Sequence, residues 1–301
     1  MFKPVSIVLV ILPLLLISSC SHSICEDCQS SPVNDSELIT QLQAYNDLMA
    51  EGVSGTRGFG RFCAIAGADL LGAYEGGKIG IRIGGAIGGV CGGHAVEGAI
   101  VGGVAGGVIC GVGGSYAAYC STRAALTSSL DTQVLLLMVE EGVSNISEIR
   151  NQINPNVVGS DDLILPQEPI DVGVLHNYIL NDILNNDTNS LDANSDTDIS
   201  PLDSLIFNSS ELLAATDSTI SVYEREGVSI ESKNLPDLVM NLYQDIFNKC
   251  SDSYEDVVAC INSYYEMIKN SDELTEDEKL CIYTGLSVSL YSLNYWNGNG
   301  N

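Results

Sequence analysis

Apolar positions recur at helical spacing in several stretches, and strand-like alternation is weak everywhere. Leu38, Leu42, Tyr45 and Leu48–Met49 predict a helix over Glu37–Glu51, broken by Gly52, Gly55, Gly58 and Gly60. The run Val134–Val139 predicts another over Leu126–Glu141, ended by Gly142, and Pro155, Pro166 and Pro169 predict a linker after it. Val172, Leu175, Ile179 and Ile183 lie on one side of a short helix, Val172–Leu184. Asn185–Ser200 reads as a polar loop, and Leu202–Ala215 as a further helix. Pro236 marks a helix start, with Leu238, Leu242, Ile246 and Phe247 following, and Ser253 opens a helix running to about Lys269. Thr275-Glu276-Asp277-Glu278 has capping-box spacing, in which hydroxyl and carboxylate satisfy orphan amides at a helix start. Leu280, Tyr283, Leu286, Leu290 and Leu293 then predict one buried stripe.

One segment follows a different pattern. Gly72–Gly114 holds 18 of the chain's 30 glycines in 43 residues. Gly72, Gly76, Gly80, Gly84, Gly88 and Gly92 fall every fourth residue; Gly98, Gly102, Gly106 and Gly114 continue the spacing, with Cys110 in the missing slot. Parallel stripes run Gly85, Gly89, Gly93 and Gly103, Gly107, Gly111. Glycines at i and i+4 leave a flat groove in which two helix backbones meet. Each glycine costs a helix about 1 kcal/mol relative to alanine, so such helices need tight packing or a lipid environment. Gly92-Gly93-His94 begins a plausible turn between two antiparallel arms. Gly98–Thr122 carries no Asp, Glu, Lys or Arg in 25 residues, enough to cross a bilayer core of about 30 Å. The first arm is interrupted by Glu75, Lys78 and Arg82, and only Ile83–Val96 is free of full charges.

Charge sharpens the division. The 301 residues carry 12 basic and 39 acidic side chains, a net charge of −27. Residues 57–123 are slightly basic at +2, whereas everything from Ala124 onward sums to −24. A chain this acidic repels phosphate backbones, so nucleic acid is excluded as a partner. Apolar content of 45% and clustered glycines exclude a fully disordered or collagen-like chain.

The N-terminus reads as an export signal. Lys3 is followed by an apolar stretch, Val5–Ile17, too short at 13 residues for a transmembrane helix, and then by Ile17-Ser18-Ser19-Cys20. That ending resembles the lipobox of bacterial lipoproteins. The resemblance implies that Cys20 is acylated, with palmitate among its chains, and becomes the mature N-terminus in an oxidising compartment. Lipobox, polar tether and paired glycine arms together resemble the glycine-zipper region of bacterial outer-membrane lipoproteins, over roughly residues 17–122. The resemblance implies an envelope-structural role with membrane lipid as partner, self-association through the zipper, and no catalytic residue. The remaining 180 or so acidic residues depart from it.

Candidate chemistry is sparse. Gly72-Ala73-Tyr74-Glu75-Gly76-Gly77-Lys78 has phosphate-loop spacing, but Ile79 stands where the metal-binding hydroxyl belongs and no strand precedes it. Of three histidines, His22 is in the tether, His94 at the turn and His176 on a helix, which reads as a helix-face or core residue. No nucleophile–base constellation is legible. Asp192, Asn194, Asp196 and Asp203 take the oxygen-ligand positions of an EF-hand-like loop, but Thr197 replaces its glycine and Asp203 its bidentate Glu, so a solvated acidic loop is favoured. Nine cysteines remain after Cys20, so at least one is unpaired in any intramolecular scheme. Cys63 and Cys120 would meet if the turn centres near Gly92; Cys250, Cys260 and Cys281 allow three pairings; Cys25 and Cys28 have the spacing to pair or to act in redox chemistry, and with no thioredoxin-like strand–helix pattern nearby the redox reading is not favoured; Cys91 and Cys110 read as small apolar residues of the zipper.

The expectation is therefore a mainly α protein, with a glycine-zipper helical hairpin followed by an acidic helical bundle. The segments are a signal peptide at 1–19, a tether and short helix at 20–56, the hairpin at 57–123, a helix and linker at 124–170, and an acidic helical domain at 171–301. The expected role is a non-catalytic, lipid-anchored protein of the cell envelope, in the bacterial outer membrane, with no cofactor. The alternatives are a membrane-perturbing toxin or pore former, and an extracytoplasmic enzyme or calcium-dependent module in the acidic half.

Overall fold

The computed structural model describes residues 36–52, 60–90, 93–121, 131–185, 234–250 and 253–298, with several positions between 202 and 214. The described helices belong to one compact unit, Glu37–Asn301. They are α1 (Glu37–Gly52), α2 (Gly60–Val90), α3 (Ala95–Ser121), α4 (Thr132–Ser144), α5 (Ile146–Ile153), α6 (Gln167–Asn185), α7 (Leu235–Cys250), α8 (Tyr254–Lys269) and α9 (Glu276–Gly298). Two 3₁₀ turns, Asn154–Asn156 and Ser160–Asp162, join α5 to α6. Among the described residues there is no strand, and the fold is mainly α.

The glycine arms are α2 and α3, which pair along their length as an antiparallel hairpin at the centre of the unit. α9 lies on α2, α6 lies on α3, and α9 and α6 also meet each other. α1, α7 and α8 form an outer group, joined by the edge-to-face rings of Tyr45, Tyr264 and Tyr243 at centroid distances of 5.9 and 5.1 Å. Asn46 ties α1 down by donating to the Leu242 carbonyl (2.8 Å) and accepting from the Tyr264 hydroxyl (2.8 Å).

Local signals place the helix starts. Ser253 accepts from the Asp256 amide at 3.2 Å, and α8 ends at Lys269. The Thr275 hydroxyl accepts from the Glu278 amide (3.3 Å) while Glu278 accepts from the Thr275 amide (2.8 Å), closing the capping box ahead of α9.

Three expectations change. Gly142 does not end a helix: α4 continues to Ser144, and Gly142 is buried against α6, where a methyl group would stand 2.7 Å from Leu175 Cδ2. The proline-marked linker contains a helix of its own, α5, and Pro169 sits in the first turn of α6, where its missing N–H costs nothing. Finally, α9 buries far more than one stripe: residues 281–296 are buried without a break. Two of its small polar side chains bond to the helix's own backbone, Thr284 donating to the Leu280 carbonyl (2.9 Å) and Ser289 to that of Leu286 (2.6 Å).

Candidate functional site

The hairpin is built by backbone contact. A methyl group on Gly80 would overlap the Gly102 carbonyl oxygen; on Gly84 that of Gly98, on Gly76 that of Gly106, and on Gly88 that of His94. Gly72 faces the Cys110 carbonyl in the same register, and Cys110 occupies the missing slot because its Cβ and Sγ lean toward Gly76. The relation is reciprocal, with Gly98, Gly102 and Gly106 closed off by the carbonyls of Gly84, Gly80 and Gly76. Such approach favours Cα–H···O contacts, each worth about 0.5–1 kcal/mol. The second stripe has another role: Gly107 admits Thr284 of α9 and Val172 of α6, and Gly111 admits the His176 ring. At the turn, Gly93 takes φ +93°, and the amides of His94 and Gly98 donate to the carbonyls of Gly88 (3.0 Å) and His94 (2.9 Å).

Two charges of the first arm, Glu75 and Lys78, are paired within the protein. Lys78 donates to Glu75 (3.1 Å) and to Asp237 of α7 (3.0 Å), and its ammonium stands 4.7 Å from the Tyr74 ring centroid. Tyr74 donates to the same Asp237 oxygen at 2.6 Å. Burial alone would lower the Lys78 pKa, but the two carboxylates outweigh it and hold it above the usual value. Arg82, one turn further on, is exposed.

A second polar cluster lies at the base of the hairpin, and sequence reasoning missed it. Asp69 of α2, Ser115 of α3, His176 and Asn177 of α6 and Ser292 of α9 are all buried. Ser292 donates to Asp69 Oδ2. His176 Nε2 lies 3.7 Å from that oxygen and 3.1 Å from Ser115 Oγ. Asn177 donates its amide to the Tyr291 carbonyl (2.8 Å), so its Oδ1 faces His176 Nδ1 at 3.1 Å as an acceptor. His176 is thereby assigned as the Nδ1–H tautomer, and its Nε2 and Asp69 share the single hydroxyl proton of Ser115 as alternative acceptors. Burial pushes Asp69 up to about 7, against hydrogen bonds from Ser115, Ser292 and Trp296, and pulls His176 down to about 4, against its bond to Asn177. The sequence signal was present: Asp69 and Ser115 are isolated polar residues within apolar runs of the two arms.

Ser115, His176 and Asn177 have the spacing of a nucleophile, base and orienting group. The open side is wrong for catalysis. A cleft of about 430 Å³ reaches Asn177, Asn181 and Asn294, while Ser115, the nucleophile position, is fully buried. His176 is a core histidine, as expected.

The other candidates divide. Among the described residues no cluster of His, Cys, Asp and Glu could hold a metal. Asp192, Asn194, Asp196 and Asp203 lie outside the described residues, as do Cys20, His22, Cys25, Cys28, Cys91, Gly92 and the side chains of Cys63 and Cys120. Cys250, Cys260 and Cys281 are buried thiols, and those of Cys250 and Cys260 are hydrogen-bonded across α7 and α8.

No protein-family model, curated protein or solved structure matches the chain. Its function has to be argued from this geometry. One described helix, α3 over Ala95–Ala117, is long and apolar enough to cross a membrane, and 67% of its most apolar stretch is buried inside the protein. Among the described residues of the two arms, full exposure beyond Arg82 is confined to the tip. Ala86, Gly89, Val90 and residues 93–97 are exposed there, with Val90 at 70% and Val96 at 71%.

Proposed function

We propose that this chain is a non-catalytic, lipid-anchored protein of the cell envelope, in which the glycine hairpin is the membrane-associating element and the acidic helices are an interaction domain. The backbone contact of α2 with α3 carries the reading. A surface of glycines every fourth residue makes an apolar helical pair whose backbone hydrogen bonds are internal, which is what a lipid environment demands. The lipobox-like Ile17–Cys20 supplies the anchor and the export route. Radiolabelled palmitate is expected to enter the wild-type protein and not Cys20→Ala; equal labelling of the two removes the anchor.

One observation favours a second reading, a membrane-perturbing or pore-forming protein. A helix of spanning length is stored inside an acidic sheath, as a protein must store it if it is to travel through water before inserting. Dye release from liposomes separates the two readings, since a structural envelope protein leaves vesicles sealed.

A further inference from the structure

We propose that the membrane contact is made by the tip of the hairpin alone, which dips into one face of a bilayer while the helical sheath stays closed. This inference rests on the membrane-associating role of the hairpin and specifies which part of it meets lipid. Ile83, Ala86, Ile87, Val90 and Val96 are exposed or half-buried at the end of α2 and the start of α3. No full charge occurs between Arg82 and Glu97. The other well-exposed large apolar residues, Leu48, Leu137, Val158 and Ile164, are separated along the chain, the ordinary state of a protein surface. Among the described residues, only the tip gathers such residues on two adjacent helix ends.

Three features of the tip select a bilayer as the occupant. Its turn directs the amides of His94 and Gly98 to the carbonyls of Gly88 and His94, so these groups do not have to be hydrated. Arg82 stands exposed at the base, where a long side chain reaches headgroups while its stem lies along apolar surface. The length also fits: nine residues from Arg82 to Val90 rise about 13 Å, enough to pass the headgroups of one leaflet and too little to cross a core of about 30 Å. Entry at this depth leaves the Lys78–Asp237 contact and the Asp69–His176 cluster inside the protein.

The test uses the chain from Ser21, which lacks signal segment and acylation site and keeps the whole compact unit 37–301. It is floated with phosphatidylcholine vesicles, and with vesicles containing one third phosphatidylglycerol. Binding is expected to both, weaker to the anionic vesicles because the body is acidic. Val90→Glu with Val96→Glu should reduce binding at least tenfold without changing the melting curve, whereas Leu48→Glu with Ile164→Glu should leave it unchanged. In Val90→Trp, brominated lipid should quench emission beyond the wild-type signal of buried Trp296. If the chain binds vesicles and the tip glutamates make no difference, the tip inference falls and the hairpin's membrane role stands. If the chain binds no vesicle of either composition, the membrane role itself falls. If sedimentation shows a dimer that the tip glutamates dissociate, the occupant is a second copy and the bilayer assignment is overturned.

Discussion

Gly80→Ala should destabilise the protein, although alanine is the better helix former. Gly80 lies mid-helix in α2, so added helix propensity favours the alanine by about 1 kcal/mol. Against that, the new methyl overlaps the Gly102 carbonyl oxygen, with the Gly102 carbonyl carbon at 2.6 Å and the Gly103 amide nitrogen at 3.2 Å. These are backbone atoms in the middle of a helix and cannot rotate aside. The arms must part, and the same carbonyl contacts at Gly76 and Gly84 must loosen with them. Overpacking costs about 1–3 kcal/mol, and each lost Cα–H···O contact about 0.5–1 kcal/mol, so the net loss should be about 2–3 kcal/mol. Two glycines of the same helix serve as controls. A methyl on Gly89 would come no nearer than 3.8 Å to Ala95 Cβ, and one on Gly77 no nearer than 3.8 Å to Cys281 Cα. Gly89→Ala and Gly77→Ala should gain up to about 1 kcal/mol from propensity alone. Thermal unfolding of the chain from Ser21, followed by far-ultraviolet circular dichroism, should show Gly80→Ala melting roughly 4–10 °C lower and Gly89→Ala a few degrees higher. A Gly80→Ala protein as stable as the wild type would mean that α2 and α3 are not in backbone contact.

Asp69→Asn and His176→Asn should tilt the pH dependence of stability in opposite directions. Asp69, raised to about 7, makes stability fall as pH climbs from about 4 to 7, while His176, lowered to about 4, makes it rise between about 4 and 6.5. The two cancel in the wild type, so relative to it Asp69→Asn should gain stability with pH, and His176→Asn lose it, by up to about 1.4 kcal/mol per unit in urea titrations at pH 4.5 and 6.5. Profiles parallel to the wild type would refute the linkage. Asp237→Ala removes the acceptor shared by Tyr74 and Lys78 and should cost about 3 kcal/mol in urea unfolding, with Asp237→Asn milder; equal costs would mean that the charge contributes nothing. Gly173→Ala should cost more than Gly142→Ala, because a methyl on Gly173 meets the Tyr291 ring at 2.5 Å whereas one on Gly142 meets the movable end of Leu175 at 2.7 Å; calorimetric melting in the reverse order would refute it.

The hairpin was legible because its signal is local and periodic. A glycine every fourth residue states both the helix and the face along which it closes, and Gly93 states the turn. The starts of α8 and α9 were legible for the same reason, since the Ser253 and Thr275 caps act within three residues. α9 was misjudged because Thr284, Ser289 and Ser292 look like a solvated face, and a polarity pattern does not distinguish small hydroxyls that bond within the fold. Gly142 was misjudged because a glycine that ends a helix and one that admits a neighbouring helix look alike in sequence. The Asp69–Ser115–His176–Ser292 cluster draws on four helices and 223 positions of chain, a separation no spacing rule reaches.

The same geometry separates dipping from spanning. For the whole hairpin to lie in a bilayer, α6 and α9 would have to leave it. Leu286, Tyr291 and Leu293 are among the α9 side chains fully buried in the closed form, and each re-exposed to water costs about 1.5–3 kcal/mol. Lys78 and Tyr74 would lose Asp237, and Asp69 would lose Ser292 and His176 and enter hydrocarbon, where an ionisable side chain costs at least about 2.5 kcal/mol. Lipid contacts along α3 repay part of this, but the buried surface of α3 is apolar already, so its transfer from protein to lipid releases little. The tip avoids these costs as long as Glu97, exposed beside Val96, stays among the headgroups. Val90 and Val96 are in water in the closed form, and their entry into lipid breaks no contact of the sheath. A closed protein at a membrane therefore commits its tip first, and the spanning state requires an outside source of free energy that opens the sheath.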